Sequence, residues 1–124
     1  MPKISKQNTS TKETAPGYEG SFEDLGGYTV GFETYSDDAD LSGLFVGLPD
    51  DRCQCQHWGY VLKGSVTFHY ADRSETITAG EAYFAPPGHT PELHRDTEVV
   101  EFSPTAQLEQ TMEVVMRNAA AATP

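Results

Sequence analysis

Turn-forming residues interrupt this chain so often that only short strands fit between them. The interruptions are Ser36-Asp37-Asp38, Pro49-Asp50-Asp51, Lys63-Gly64-Ser65, Ala71-Asp72-Arg73, Ala79-Gly80 and Pro86-Pro87-Gly88. Between them lie runs rich in β-branched and aromatic residues, at the spacing typical of a β-sandwich or barrel. The pattern predicts strands over residues 28–35, 43–48, 53–63, 65–70, 74–78, 81–85 and 98–102. The turns at Gly64 and Asp72 leave so few residues between strands that tight hairpins are expected there.

The two ends read differently. Residues 1–17 are polar, with Ile4 the one large aliphatic side chain after Met1, and too little apolar surface to offset the entropy of ordering, so they are expected to form a flexible arm. Near the C-terminus the period changes: Leu108, Met112, Val115, Met116 and Ala119 recur at helical spacing, with Glu109, Glu113 and Arg117 elsewhere. Ser103 suits an N-cap and Pro104 a first helical position, which predicts a helix over 104–121, packed across the barrel or against a second subunit. Residues 18–124 are thus expected to make one domain. At this length a chain buries roughly two thirds of its unfolded surface, enough for one core.

The formal net charge is −11, and three of the eight basic residues, Lys3, Lys6 and Lys12, fall within the first seventeen positions. So acidic a body argues against a nucleic-acid partner or an anionic membrane surface. No apolar run approaches the roughly 20 residues of a bilayer span, nor is there a signal-like apolar segment at the start, and a cytoplasmic setting is expected.

Residues 53–64, Cys-Gln-Cys-Gln-His-Trp-Gly-Tyr-Val-Leu-Lys-Gly, carry the chemistry. In an extended strand Cys53, Cys55 and His57 share one face, continued by Gly59 and Val61, while Trp58, Tyr60 and Leu62 form an apolar opposite face. The absent side chain of Gly59 would leave room for a ligand beside His57. Cysteines two apart in a strand are poorly placed for a disulfide, so both are expected to be reduced. Each group also has a structural reading: small buried thiols in the core, or a neutral imidazole bonded to a backbone carbonyl.

The stretch from Gly47 to His94 resembles the paired motifs of the cupin superfamily, small jelly-roll-like β-barrels that often hold a metal at the mouth. Five residues after Gly47, Cys53 and Cys55 stand in the two histidine slots of the first motif. His57, reached by counting back from Gly64, stands in its glutamate slot. Gly80 followed by Pro86-Pro87-Gly88 matches the opening of the second motif; its histidine slot holds Pro91, with His89 and His94 on either side. The resemblance implies an all-β cupin barrel carrying the C-terminal helix, a metal held by Cys53, Cys55, His57 and His89 (or His94 in place of His89), and a homodimer.

Thiolate and imidazole donors favour zinc among divalent metals, and the absence of a carboxylate from these slots argues against an oxygenase of the usual two-histidine, one-carboxylate type. Two functional classes follow. One is a small-molecule-binding cupin domain. The other is a zinc-like enzyme acting on a small carbonyl substrate by isomerisation, cyclisation or hydrolysis. The expected ligand pocket comprises Gly59, Val61, Tyr83 and Glu101, with Trp58, Tyr60 and Phe84 as further aromatics near the mouth. Glu101 would serve there only if it faces inward; on burial grounds alone, Val100 and Phe102 are the better inner residues. His69 is given no role, and the acids at Asp37, Asp38 and Asp40 read as a solvated loop.

Overall fold

A computed structural model describes residues 3–122. The strands are β1 (Thr11–Ala15), β2 (Tyr18–Leu25), β3 (Tyr28–Tyr35), β4 (Ala39–Asp40), β5 (His57–Lys63), β6 (Ser65–His69), β7 (Ser74–Thr78), β8 (Ala82–Ala85), β9 (Thr90–Leu93) and β10 (Thr97–Pro104), followed by helix α1 (Thr105–Ala122). They form two antiparallel sheets, ordered β1-β2-β3-β10-β5-β8 and β4-β9-β6-β7. Tyr35, Val61, Val66, Phe68, Ala85, Leu93 and Val99 fill the space between the sheets. The result is the jelly-roll-like, all-β architecture with one C-terminal helix that the punctuation implied.

Four local expectations change. Part of the expected arm is a strand: β1 pairs along its whole length with β2. As an edge strand it is mostly exposed, so backbone hydrogen bonding orders a segment that has no large apolar side chain to bury. Residues 43–48 hold no strand; Ser42–Phe45 forms a 3-10 turn, started by the Asp40 carboxylate accepting from the Ser42 amide at 3.0 Å. The expected strand 53–63 begins only at His57, because Cys53 makes an isolated bridge to His89 and the Gln56 amide donates to Gln107 on the helix.

The helix starts at Thr105, with Ser103 and Pro104 still paired in β10. Ser103 is not an N-cap, since its hydroxyl is engaged inside the barrel.

Strand β10 runs centrally between β3 and β5, with an irregularity between Glu98 and Val99. The β5–β6 turn is closed by Gly64 at φ +77°, where an added Cβ would lie 2.4 Å from Thr97 Oγ1 and 2.7 Å from the Asp96 carbonyl oxygen. Helix α1 lies over the end of the barrel near Cys53. Its Val115 joins a second buried cluster with Phe45, Cys53 and Cys55, flanked by Leu44, Leu108 and Met112. Asn118 Nδ2 donates to the carbonyls of Leu44 and Val46 at 2.7 and 2.8 Å. Removing that amide with Asn118→Ala is expected to cost about 1–2 kcal/mol, read as a lower urea midpoint. Among the described residues no helix is long and apolar enough to cross a membrane.

Candidate metal centre and cavity

The inner face of the larger sheet is set by alternation along each strand. Across its middle runs the row Phe22, Gly31, Glu101, Gly59 and Tyr83, each opposite the next. The glycines are needed there: a Cβ on Gly59 would fall 2.4 Å from the Tyr83 ring, and one on Gly31 2.8 Å from the Phe22 ring. Space expected to admit a ligand beside His57 is therefore taken by Tyr83, whose hydroxyl donates to Glu101 at 2.7 Å. Glu101 faces inward and Phe102 is exposed on the outside, the reverse of the arrangement favoured by apolar burial alone. Val61 lies fully buried in the core instead of on the cavity wall.

At one end of this face Cys53, His57 and His89 converge, all buried, with their ligand atoms within 4.8 Å of one another. Cys53 Sγ is 3.5 Å from His57 Nε2. The bridge between Cys53 and His89, with the Cys53 amide donating to the His89 carbonyl at 2.8 Å, holds the two loops together. His89 Nδ1 is 2.7 Å from the Pro86 carbonyl oxygen, an acceptor only, so Nδ1 carries the proton and Nε2 keeps its lone pair. Burial, reinforced by the neighbouring His57, pushes the His89 pKa down to about 4 and keeps the ring neutral. His57 Nδ1 meets Ser103 Oγ at 2.7 Å and Glu101 Oε2 at 3.5 Å, leaving Nε2 toward Cys53.

The structure does not bring Cys55 into this group. Its thiol donates to the Gln56 carbonyl at 3.3 Å, and residues 54–56 precede β5 and lie outside any strand. His94 also lies apart, its Nε2 2.9 Å from Thr67 Oγ1. Both cysteines are free thiols, and burial pushes each up to about 12, so both hold their protons at neutral pH. Three buried donors, two of them imidazoles oriented by hydrogen bonds from behind, could hold a divalent metal ion, whose charge would favour the thiolate. Among the slots implied by the resemblance, the structure groups Cys53, His57 and His89.

These three residues line a cavity of about 880 Å³ that extends between the sheets to β1 and under α1. Apolar wall comes from Phe22, Phe45, Phe68, Leu93 and Val99. Two polar residues of the cavity lining, Ser103 and Glu33, escaped sequence reading as site residues. Ser103 shares a face with Glu101 two positions earlier, so alternation would have placed it beside the site. Glu33 on β3 was visible as a carboxylate within an apolar strand, the same signal that singled out Glu101. Tyr18 and Tyr35 hydrogen-bond Glu33. Burial and then the Glu101 charge push its pKa up to about 8.

Residues 49–108 match the AraC-like ligand binding domain family. No curated protein matches the sequence significantly. Among solved structures, the chain is similar to the polyketide cyclase RemF from Streptomyces resistomycificus, at 15% identity and TM-score 0.57 over 84% of this chain and 79% of that one. An RmlC-like cupin from Shewanella frigidimarina aligns at 14% identity and TM-score 0.55, over 82% and 88% of the two chains. A protein of unknown function from Rhizobium leguminosarum aligns at 18% identity and TM-score 0.59, over 83% and 94%. At such identities the likeness is one of fold. The jelly-roll topology and these neighbours give the chain a cupin-like fold, within which residues 49–108 match a ligand-binding family.

Proposed function

We propose that this chain is a small-molecule-binding cupin whose Cys53, His57 and His89 hold a divalent metal, zinc by the chemistry of the donors, at the inner end of the cavity. The observation that carries the reading is the convergence of three buried donors, with His89 Nδ1 bonded to a backbone carbonyl and His57 Nδ1 to Ser103. A bound zinc would supply a fixed positive charge and one open position for a ligand oxygen, nitrogen or sulfur. The protein's part is to orient the imidazoles and keep bulk water from the donors. Two free thiols suit the reducing conditions of the cytoplasm.

Elemental analysis of untagged protein, reconstituted with zinc and desalted, tests this. About one zinc per chain is expected, with occupancy and thermal midpoint falling together in His57→Ala and in Cys53→Ser. Cys55→Ser should keep its zinc. No zinc in the reconstituted wild type, or equal loss in the Cys53 and Cys55 variants, would sink the proposed centre.

The outer face of the large sheet supports a second copy as partner. Tyr28, Trp58, Tyr60, Leu62, Phe84 and Phe102 are all exposed there, with Trp58 stacked on Phe84 at 5.0 Å and edge-on to Tyr28 at 5.9 Å. A partner carrying the same charge of −11 must meet this chain through uncharged surface, and this face offers it. Light scattering is expected to give the dimer mass for the wild type and the monomer mass for Trp58→Glu. A monomeric wild type at micromolar concentration would refute pairing.

A further inference from the structure

We propose that the cavity takes an organic cation, an amine with an apolar body whose ammonium group sits between Glu33 and Glu101. This rests on reading the cavity as a ligand site and names the class of ligand. Seven carboxylate residues line the cavity and, among the described residues, no lysine or arginine does. Acids alone would signify little on a solvated surface, but these two sit within the barrel wall. Glu101 is flanked across the strands by Gly31 and Gly59, and Glu33 Oε2 reaches to 3.7 Å from the point where a Gly31 Cβ would be. Two neighbouring acidic side chains thus share the inner face, with the Phe22 and Tyr83 rings seated in the spaces beside the glycines and the cavity in front of them.

Tyrosine hydroxyls are their main partners. Glu33 accepts from the hydroxyls of Tyr18 and Tyr35, and Glu101 from Tyr83, with the His57 imidazole 3.5 Å from its other oxygen. Tyrosine hydroxyls satisfy the oxygens without neutralising charge, and among the described residues no lysine or arginine lines the cavity to face them. The raised Glu33 pKa is consistent with that deficit. The surrounding rings complete the chemistry: Tyr18 and Tyr35 lie 4.9 Å apart, centroid to centroid, and their π faces, with Phe22, favour a cation over a neutral group of the same shape. The apolar wall of Phe68, Leu93 and Val99 fits a hydrocarbon body, and an anion is opposed from every acidic side.

The test uses probes of one shape and different charge, added to zinc-loaded and to zinc-free protein, with binding read by calorimetry. The probes are 2-phenylethylamine, its N-trimethylated cation, 2-phenylethanol and phenylacetate. Both cations are expected to bind at least about tenfold more tightly than the alcohol, with phenylacetate weakest. The trimethylated cation has no lone pair for a metal, so its binding isolates charge recognition. Glu33→Gln, and independently Glu101→Gln should the first not fold, are expected to reduce the preference for cation over alcohol. Equal binding of cation and alcohol, preference for phenylacetate, binding of the primary amine alone and only with zinc, or binding of none would each overturn the proposal. Zinc occupancy is measured separately, so the cation assignment can fail while the metal centre stands.

Discussion

Gly64→Ala is expected to unfold at a much lower urea concentration than the wild type, with a loss of about 3 kcal/mol or more. Two costs combine. A non-glycine residue at φ +77° carries roughly 1–2 kcal/mol of local strain. The new methyl would also fall within 2.7 Å of the Asp96 carbonyl oxygen and the Thr97 Cα, backbone atoms that cannot rotate away, and such overpacking costs typically 1–3 kcal/mol. Thr97 is fully buried, and its hydroxyl both accepts from the Ser65 amide and donates to the Ser65 carbonyl, so displacing it also disturbs the start of β6. Gly80 supplies the control. Its φ is +91°, yet nothing lies within 4 Å of its would-be Cβ. Gly80→Ala should therefore show the strain alone, about 1–2 kcal/mol. Equal losses in the two variants would refute the steric argument.

Glu33→Gln should change the pH dependence of stability more than any surface substitution. A glutamate with an ordinary pKa of 4.5 in the unfolded chain and about 8 in the folded one keeps its proton in the native state across that interval. The folded protein then binds the extra proton, so stability is greatest below pH 4.5 with respect to this group and declines as pH rises to 8. Each pKa unit corresponds to about 1.4 kcal/mol, but Glu33 is only partly buried and screening reduces the effect, so a swing of about 2 kcal/mol is expected. The groups facing it, Tyr18, Tyr35, Glu13 and Glu101, are common to both proteins. Denaturant midpoints at pH 5 and pH 9 should show the variant gaining on the wild type at the higher pH. Parallel profiles would mean that Glu33 ionises freely in the fold.

Strands with clear alternation between strong turns were readable from the residues, as at 28–35 and 74–78, where the structure places β3 and β7 with the same bounds. The run 43–48 was not, because a short apolar stretch has the same composition in a buried turn as in a strand, and Asp40 decided the matter locally. Strand β2 stayed hidden for another reason. Its inner face carries Gly20 between Tyr18 and Phe22, and its outer face carries Glu19, Ser21 and Glu23, so composition reads as loop while the backbone pairs along its whole length with β3. At the proposed metal centre, spacing pointed to Cys53 and His57, and proximity to the Pro-x-Gly turn pointed to His89. Cys55 was grouped with them on the assumption of a continuous strand, but β5 starts only at His57. Ser103 was assigned to capping because Ser-Pro is a good helix start, whereas tertiary pairing with β3 held it in β10.

Strand β10 passes into α1 with no loop between Pro104 and Thr105, and the junction is pinned by the Thr105 amide donating to the Gly27 carbonyl. The helix is anchored again near its far end, where the Asn118 amide donates to the Leu44 and Val46 carbonyls. At 1.5 Å per residue its 18 residues extend about 27 Å, so α1 is a beam fastened at both ends, and the face that carries Leu108, Met112 and Val115 is a fixed roof over the cavity.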